Sequence, residues 1–145
     1  MKLAHISITA RDADRLSTFY RRVLGCEVRR PPRVLSGPAV SRGNGLPGCE
    51  IYSIWLTLPG ADTPFLELLQ YRGDRMRDLP EVDAPGYGHL SFVTDSIEDT
   101  IRAVLENGGA MVGEVTNFGS AERPYLIVYV RDCEGNVLEL EQAQT

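Results

Sequence analysis

The sequence predicts an α+β chain in which one βαβββ module is written twice, and three repeated features predict it. The only two histidines stand in matching surroundings: His5-Ile6-Ser7-Ile8 and His89-Leu90-Ser91-Phe92 alternate in polarity, and each leads through an aspartate into a helical pattern. Each helical pattern carries a single apolar stripe. Downstream of each helix, Leu66-Glu67-Leu68-Leu69-Gln70 and Leu138-Glu139-Leu140-Glu141-Gln142 share the pattern Leu-Glu-Leu-x-Gln.

In chain order, period-2 alternation marks a first strand with His5, Ser7 and Thr9 on one face and Ala4, Ile6 and Ile8 on the other. Leu16, Phe19, Tyr20, Val23 and Leu24 then recur at helical spacing. Asp12 supplies an N-cap to that helix and Gly25 a C-terminal stop. Residues Pro31 to Gly48 hold four prolines and four glycines and read as an inserted loop, expected to gate a pocket. Strand-like runs follow over Ile51 to Leu58 and around Glu67, and Leu79 to Gly88, with Pro80, Pro85 and Gly86, reads as a linker.

The second module repeats this order. After the His89 strand, Ile97, Ile101, Val104 and Leu105 form a stripe that Ser96 caps, with Asp99 in a capping-box-like position, and Gly108-Gly109 ends it. Tyr125 to Val130 and the Glu139 strand flank a hairpin turn at Arg131-Asp132-Cys133-Glu134-Gly135-Asn136. The modules run over about residues 1–75 and 85–145, in a single domain of 1–145. His-to-Glu separation is 62 residues in the first copy and 50 in the second, and the Pro/Gly-rich insertion accounts for the difference.

Composition narrows the partners. A chain of 145 residues with net charge −5 and no block of Lys or Arg is expected to bind neither nucleic acid nor an anionic membrane. No apolar run approaches the ~20 residues of a bilayer span. The early polar residues of Met1-Lys2-Leu3-Ala4-His5 do not suit a signal peptide, so a cytoplasmic location is expected. Cys26, Cys49 and Cys133 have no paired spacing and receive no role.

A lone strand His is more often structural than a ligand, and a Glu in Leu-Glu-Leu usually belongs to a solvated face. The duplication changes that balance. Were the modules to pack as a pseudo-symmetric pair, His5, Glu67, His89 and Glu139 would converge on one concave surface. Two ionised carboxylates buried together are costly unless a cation lies between them. Two imidazoles and two carboxylates suit Ni, Co, Fe, Mn or Zn as a divalent ion, with positions left open for water or substrate.

The chain resembles the vicinal oxygen chelate superfamily of glyoxalase I, bleomycin-resistance proteins and extradiol dioxygenases. The resemblance rests on the His5-Ile6-Ser7-Ile8 segment with Phe19-Tyr20 and Val23-Leu24-Gly25, and on Phe65-Leu66-Glu67-Leu68. It rests equally on Gly86-Tyr87-Gly88-His89-Leu90-Ser91-Phe92, and on Arg131-Asp132 with Glu134-Gly135-Asn136-Val137-Leu138-Glu139-Leu140. It implies two βαβββ modules in a curved, cleft-bearing mixed sheet with helices on its outer face. Metal ligands are implied at His5, Glu67, His89 and Glu139, together with a small-molecule substrate and a homodimer.

The ligand order His-Glu-His-Glu and the segment Tyr87-Gly88-His89 are similar to bacterial glyoxalase I. That likeness implies a lyase or isomerase working through a metal-stabilised enediolate, with Glu139 or Glu67 as the catalytic proton carrier. Thr9 stands where that enzyme usually has an arginine for glutathione, and Arg11 shares the strand face only if the strand extends so far. The reading is therefore glyoxalase-like. An extradiol-type dioxygenase would use His5, His89 and Glu139 as an iron site and leave Glu67 without a role. Methylmalonyl-CoA epimerase resembles the layout but usually has Gln at the position of Glu67, and a metal-free drug-binding protein of the bleomycin-resistance type usually lacks the ligand set. Among Arg29, Arg30, Arg33, Arg42, Arg72, Arg75 and Arg77, one or two could hold an anionic substrate group. Tyr125 and Tyr129 share a face beside Glu139, while Trp55 and Tyr52 fit either core or pocket wall.

Overall fold

A computed structural model describes residues 1–73 and 75–143 and divides the chain into two compact units, Met1–Met76 and Arg77–Thr145. The expected end of the second module at Thr145 lies outside the described residues.

The first unit contains β1 (His5–Thr9), α1 (Ala13–Leu24), β2 (Glu27–Ser36), α2 (Pro38–Asn44), β3 (Glu50–Leu58) and β4 (Ala61–Tyr71). Its strands form a mixed sheet in the order β1-β4-β3-β2, with β1 parallel to β4 and the other pairs antiparallel. The second unit contains β5 (Leu90–Val93), α3 (Ile97–Glu106), β6 (Ala110–Met111), β7 (Thr116–Asn117), β8 (Tyr125–Arg131) and β9 (Val137–Ala143). Here β5 runs parallel to β9, β9 pairs antiparallel with β8, and the short β6 and β7 both pair with β8. The mixed α+β class and the duplicated order agree with expectation.

Both helices begin and end where local chemistry demands. Asp12 accepts the Arg15 amide at 2.9 Å, and Gly25 closes α1 at φ 69°, a left-handed conformation that costs glycine little. Ser96 accepts the Asp99 amide at 3.3 Å at the start of α3. The Leu-Glu-Leu-x-Gln repeat has a structural purpose as well. Leu66 and Leu68 point into the core, and Gln70 on the same face accepts the Ala13 amide at 2.9 Å. In the second unit, Leu138 and Leu140 are buried and Gln142 accepts the Ile97 amide at 2.6 Å. Each glutamine satisfies a helix amide that has no partner within its own helix, so one pentapeptide lays the core, ties down the helix and turns its Glu to the opposite face.

Helix α1 packs on β3 and β4, burying Leu16, Phe19 and Tyr20 with Ile54, Leu56, Leu66 and Leu68, all at most 2% exposed. In the second unit α3 packs on β6, β8 and β9, burying Ile97 and Val104 with Val128, Val130, Leu138 and Leu140. Cys26 is buried beside the end of α1, and burial pushes its thiol up to about 11, so it is an inert packing group.

Two expectations need correction, and one condition is settled. Residues 31–48 are not a continuous loop: Pro31 to Ser36 belong to β2 and Pro38–Asn44 form a short helix. Proline removes a ladder donor and is tolerated at sheet edges and bulges. The strand β2 is such an edge, and its register with β3 shifts between Val28 and Arg30 and again between Arg30 and Arg33. His89 immediately precedes β5 instead of lying within it. Finally, β1 stops at Thr9, so Arg11 does not extend that strand's exposed face. No helix among the described residues is long and apolar enough to cross a membrane.

Candidate metal centre

The face of each sheet opposite its helix carries a His–Glu pair. Parallel pairing sets Ser7 beside Glu67 and Ser91 beside Glu139, and each histidine stands two residues before its serine, on the same face. His5 Nε2 lies 3.4 Å from Glu67 Oε2, and His89 Nε2 lies 3.7 Å from Glu139 Oε2. The carboxylates are largely buried, with side chains 13% and 14% exposed, while the imidazoles are more open at 44% and 35%. The structure thus brings together His5 with Glu67, and His89 with Glu139.

Both separations exceed the 2.7–3.2 Å of an ordinary N–H···O hydrogen bond. The first is at the spacing that one cation would impose, and the second is wider. Two ligand atoms each about 2.1 Å from an ion at tetrahedral angles stand roughly 3.4 Å apart. The donor set, one imidazole nitrogen and one carboxylate oxygen per unit, therefore fits a divalent metal. Within each unit, among the described residues, no third His, Cys, Asp or Glu completes a metal-holding group. Each unit by itself presents two donors.

The second carboxylate oxygen is anchored in each case. Trp55, opposite Glu67 in the β3–β4 register, donates its indole N–H to Glu67 Oε1 at 2.7 Å. Ser91 donates its hydroxyl to Glu139 Oε1 at 3.0 Å. Tyr129, opposite Glu139 in the β8–β9 register, occupies the place that Trp55 has in the first unit. Its hydroxyl is held above its ordinary range, first by the hydrogen bond to Glu139, then by burial and the charges of Glu139 and Glu141. Aromatic rings also fix the imidazoles. Phe65 lies 5.2 Å from His5, and Tyr129 lies edge-on to His89 at 5.0 Å, both between ring centroids.

The second unit has a carboxylate without a counterpart in the first. Glu141, two residues beyond Glu139 and on the same face, accepts from the hydroxyls of Ser91 and Tyr125. These bonds, led by Ser91, hold its carboxyl below the usual range. Leu69 holds the equivalent place in the first unit. Tyr52 instead turns away from the pair and donates to Asp14 at 3.0 Å.

Sequence reasoning did not assign Trp55, Ser91 or Glu141. The His-x-Ser repeat was a usable signal for Ser91, and the second acid of Leu-Glu-Leu-Glu for Glu141. Trp55 was harder, because both faces of Ile51 to Leu58 are apolar enough to be core.

Residues 2–140 match the model of the glyoxalase/bleomycin resistance protein/dioxygenase superfamily. The chain is 24% identical over 142 residues to mitochondrial methylmalonyl-CoA epimerase of Bos taurus, spanning 98% of this chain and 74% of that protein. A glyoxalase family protein from Bacillus cereus superposes with a TM-score of 0.88 at 20% identity, over 100% of this chain and 95% of its own. The fosfomycin resistance protein FosX of Listeria monocytogenes, solved with Mn(II) and sulfate, superposes with a TM-score of 0.58 at 15% identity, over 98% and 92%.

Proposed function

Because the chain belongs to the glyoxalase/bleomycin resistance protein/dioxygenase superfamily, we propose that it is a divalent-metal-dependent, glyoxalase-like isomerase or lyase. Its substrate would be a small oxygen-chelating molecule in which a proton moves between neighbouring carbons. The observation that carries this reading is the duplicated His–Glu pair, with Nε2 and Oε2 facing each other in each and each Oε1 tied back by a neutral donor. His5, Glu67, His89 and Glu139 would hold the ion. Nickel, cobalt, iron, manganese and zinc all suit such a nitrogen–oxygen set, and the manganese of the FosX structure supports that choice. Such an ion would supply positive charge beside the substrate's oxygens and so would favour loss of a proton from the carbon next to a carbonyl.

The protein's own groups do the rest. Trp55 and Ser91 fix the planes of Glu67 and Glu139, and one of these carboxylates, only weakly held as a ligand, would take the proton and return it to the neighbouring carbon. Phe65 and Tyr129 pack against the imidazoles and restrict how far each ring can turn. The epimerase among the relatives supports an isomerase. The same reading includes a small-molecule substrate and a homodimer.

Elemental analysis of tag-free protein tests the proposal. Wild type is expected to carry divalent metal and Glu139→Ala to lose it; negligible metal in both would overturn it. A second variant addresses the anchoring. Trp55→Phe keeps an aromatic ring but deletes the donor to Glu67, and loss of such an outer partner typically lowers metal affinity about 10–100-fold. Competition against a chromophoric chelator measures it, and unchanged affinity would remove Trp55 from the site.

A further inference from the structure

We propose that Arg30 binds a carboxylate group of the substrate, which makes the substrate a small carboxylic acid anion. The inference rests on the preceding reading only in taking the His5–Glu67 pair as the place where substrate reacts.

Register places four side chains in one row across the first unit's sheet: Arg30 on β2, Trp55 on β3, Glu67 on β4 and Ser7 on β1. The Arg30 and Glu67 backbones are two strand spacings apart, about 10 Å, and Trp55 spans the interval. At one side the indole N–H meets Glu67. At the other, the Arg30 guanidinium carbon lies 3.3 Å from the indole ring centroid. Stacking of this kind holds the planar guanidinium in one orientation and occupies its face, leaving the in-plane N–H groups as donors.

Those donors have no acidic partner among the described residues. The neighbouring arginine differs. Arg29 lies 5.2 Å from the Phe65 ring centroid and bonds Asp62 at both the carboxylate, 2.9 Å, and the main-chain oxygen, 2.8 Å. Of the two adjacent cations, one is consumed by the fold and one is oriented but unused. A planar carboxylate matches the guanidinium fork with two parallel hydrogen bonds. A single positive charge balances one carboxylate. The row therefore suits a substrate whose carboxylate lies on Arg30 while its reacting carbons reach the His5–Glu67 pair.

Trp55 is the only tryptophan in the chain, so its emission reports on this row. The test titrates the protein as purified with succinate, with its uncharged diamide and with inorganic phosphate, following Trp55 fluorescence and calorimetry. Succinate is expected to bind saturably, and the diamide to give no saturable change. Arg30→Gln should weaken succinate at least tenfold. Arg30→Lys, which keeps the charge but loses the fork, should fall between. Arg29→Gln should stay within twofold of wild type. Succinate affinity within twofold of wild type in Arg30→Gln would overturn the inference, as would the absence of saturable succinate binding to wild type or a preference for phosphate. Metal content measured on the same samples separates this idea from the metal proposal. Metal-free wild type that still binds succinate through Arg30 sinks only the metal reading; metal-loaded Arg30→Gln that binds succinate normally sinks only this one.

Discussion

Alanine at both His5 and Glu67 is expected to lower divalent-metal affinity more than a hundredfold although the second unit's pair is untouched. Alanine at both His89 and Glu139 is expected to do the same. Each unit presents one nitrogen and one oxygen donor facing each other at 3.4 or 3.7 Å. Two donors leave most of an ion's coordination to water, so a single pair would hold it weakly, and the proposal that four ligands serve one ion predicts tight binding only when all four are present. Loss of an outer partner alone costs about 10–100-fold, so loss of two direct ligands must exceed that. Stoichiometry decides between the arrangements. If the four residues serve one ion, wild type binds one metal per pair of His–Glu pairs and either double variant binds none tightly. Were each pair an independent site, each double variant would keep half the wild-type metal at unchanged affinity, and the single-centre proposal would fail. Both carboxylates face away from the helices, so the substitutions should leave folding intact, which circular dichroism checks.

The largest stability effect is expected from Leu66→Ala, at about 2–5 kcal/mol. Leu66 has no exposed surface and pairs across the sheet with Leu56, also fully buried, in strands that α1 packs against. Truncation removes apolar burial and leaves a cavity that β-strands held on both sides cannot close. A folded domain of this size has only about 5–15 kcal/mol in hand, so one such cavity removes a large share. The melting temperature should fall by roughly 10 °C. Val93→Ala, on a side chain 79% exposed, should stay within about 0.5 kcal/mol of wild type. Urea unfolding of both variants measures this, and a loss below 1 kcal/mol for Leu66→Ala would show that the first unit's core lies elsewhere.

Much of this architecture is legible in the chain because it follows from short-range rules. Asp12 and Gly25 bracket α1, and Ser96 caps α3, through contacts spanning three residues or from a single backbone angle. The alternation of Leu66, Glu67 and Leu68 separates the helix-covered core from the opposite face without knowledge of any neighbour. The misreading of Pro31 to Ser36 has a long-range cause. Proline argues against a strand only where both sides of the ladder are needed, and the edge position of β2 is a property of the whole sheet.

The candidate site divides in the same way. Its four proposed ligands could be read from the sequence because duplication displays one His and one Glu twice, at equivalent places in two copies of one pattern. What the sequence by itself determined was the residue types and the face on which each stands, since periods of two and 3.6 residues settle both. Only the tertiary structure decided that Trp55 anchors Glu67, that Ser91 bridges toward Glu139 and Glu141, and that Arg30 instead of Arg29 keeps its donors open. Those assignments depend on cross-strand register, in which residues twelve to fifty positions apart become neighbours and a shift of one residue would turn every one of these side chains to the other face.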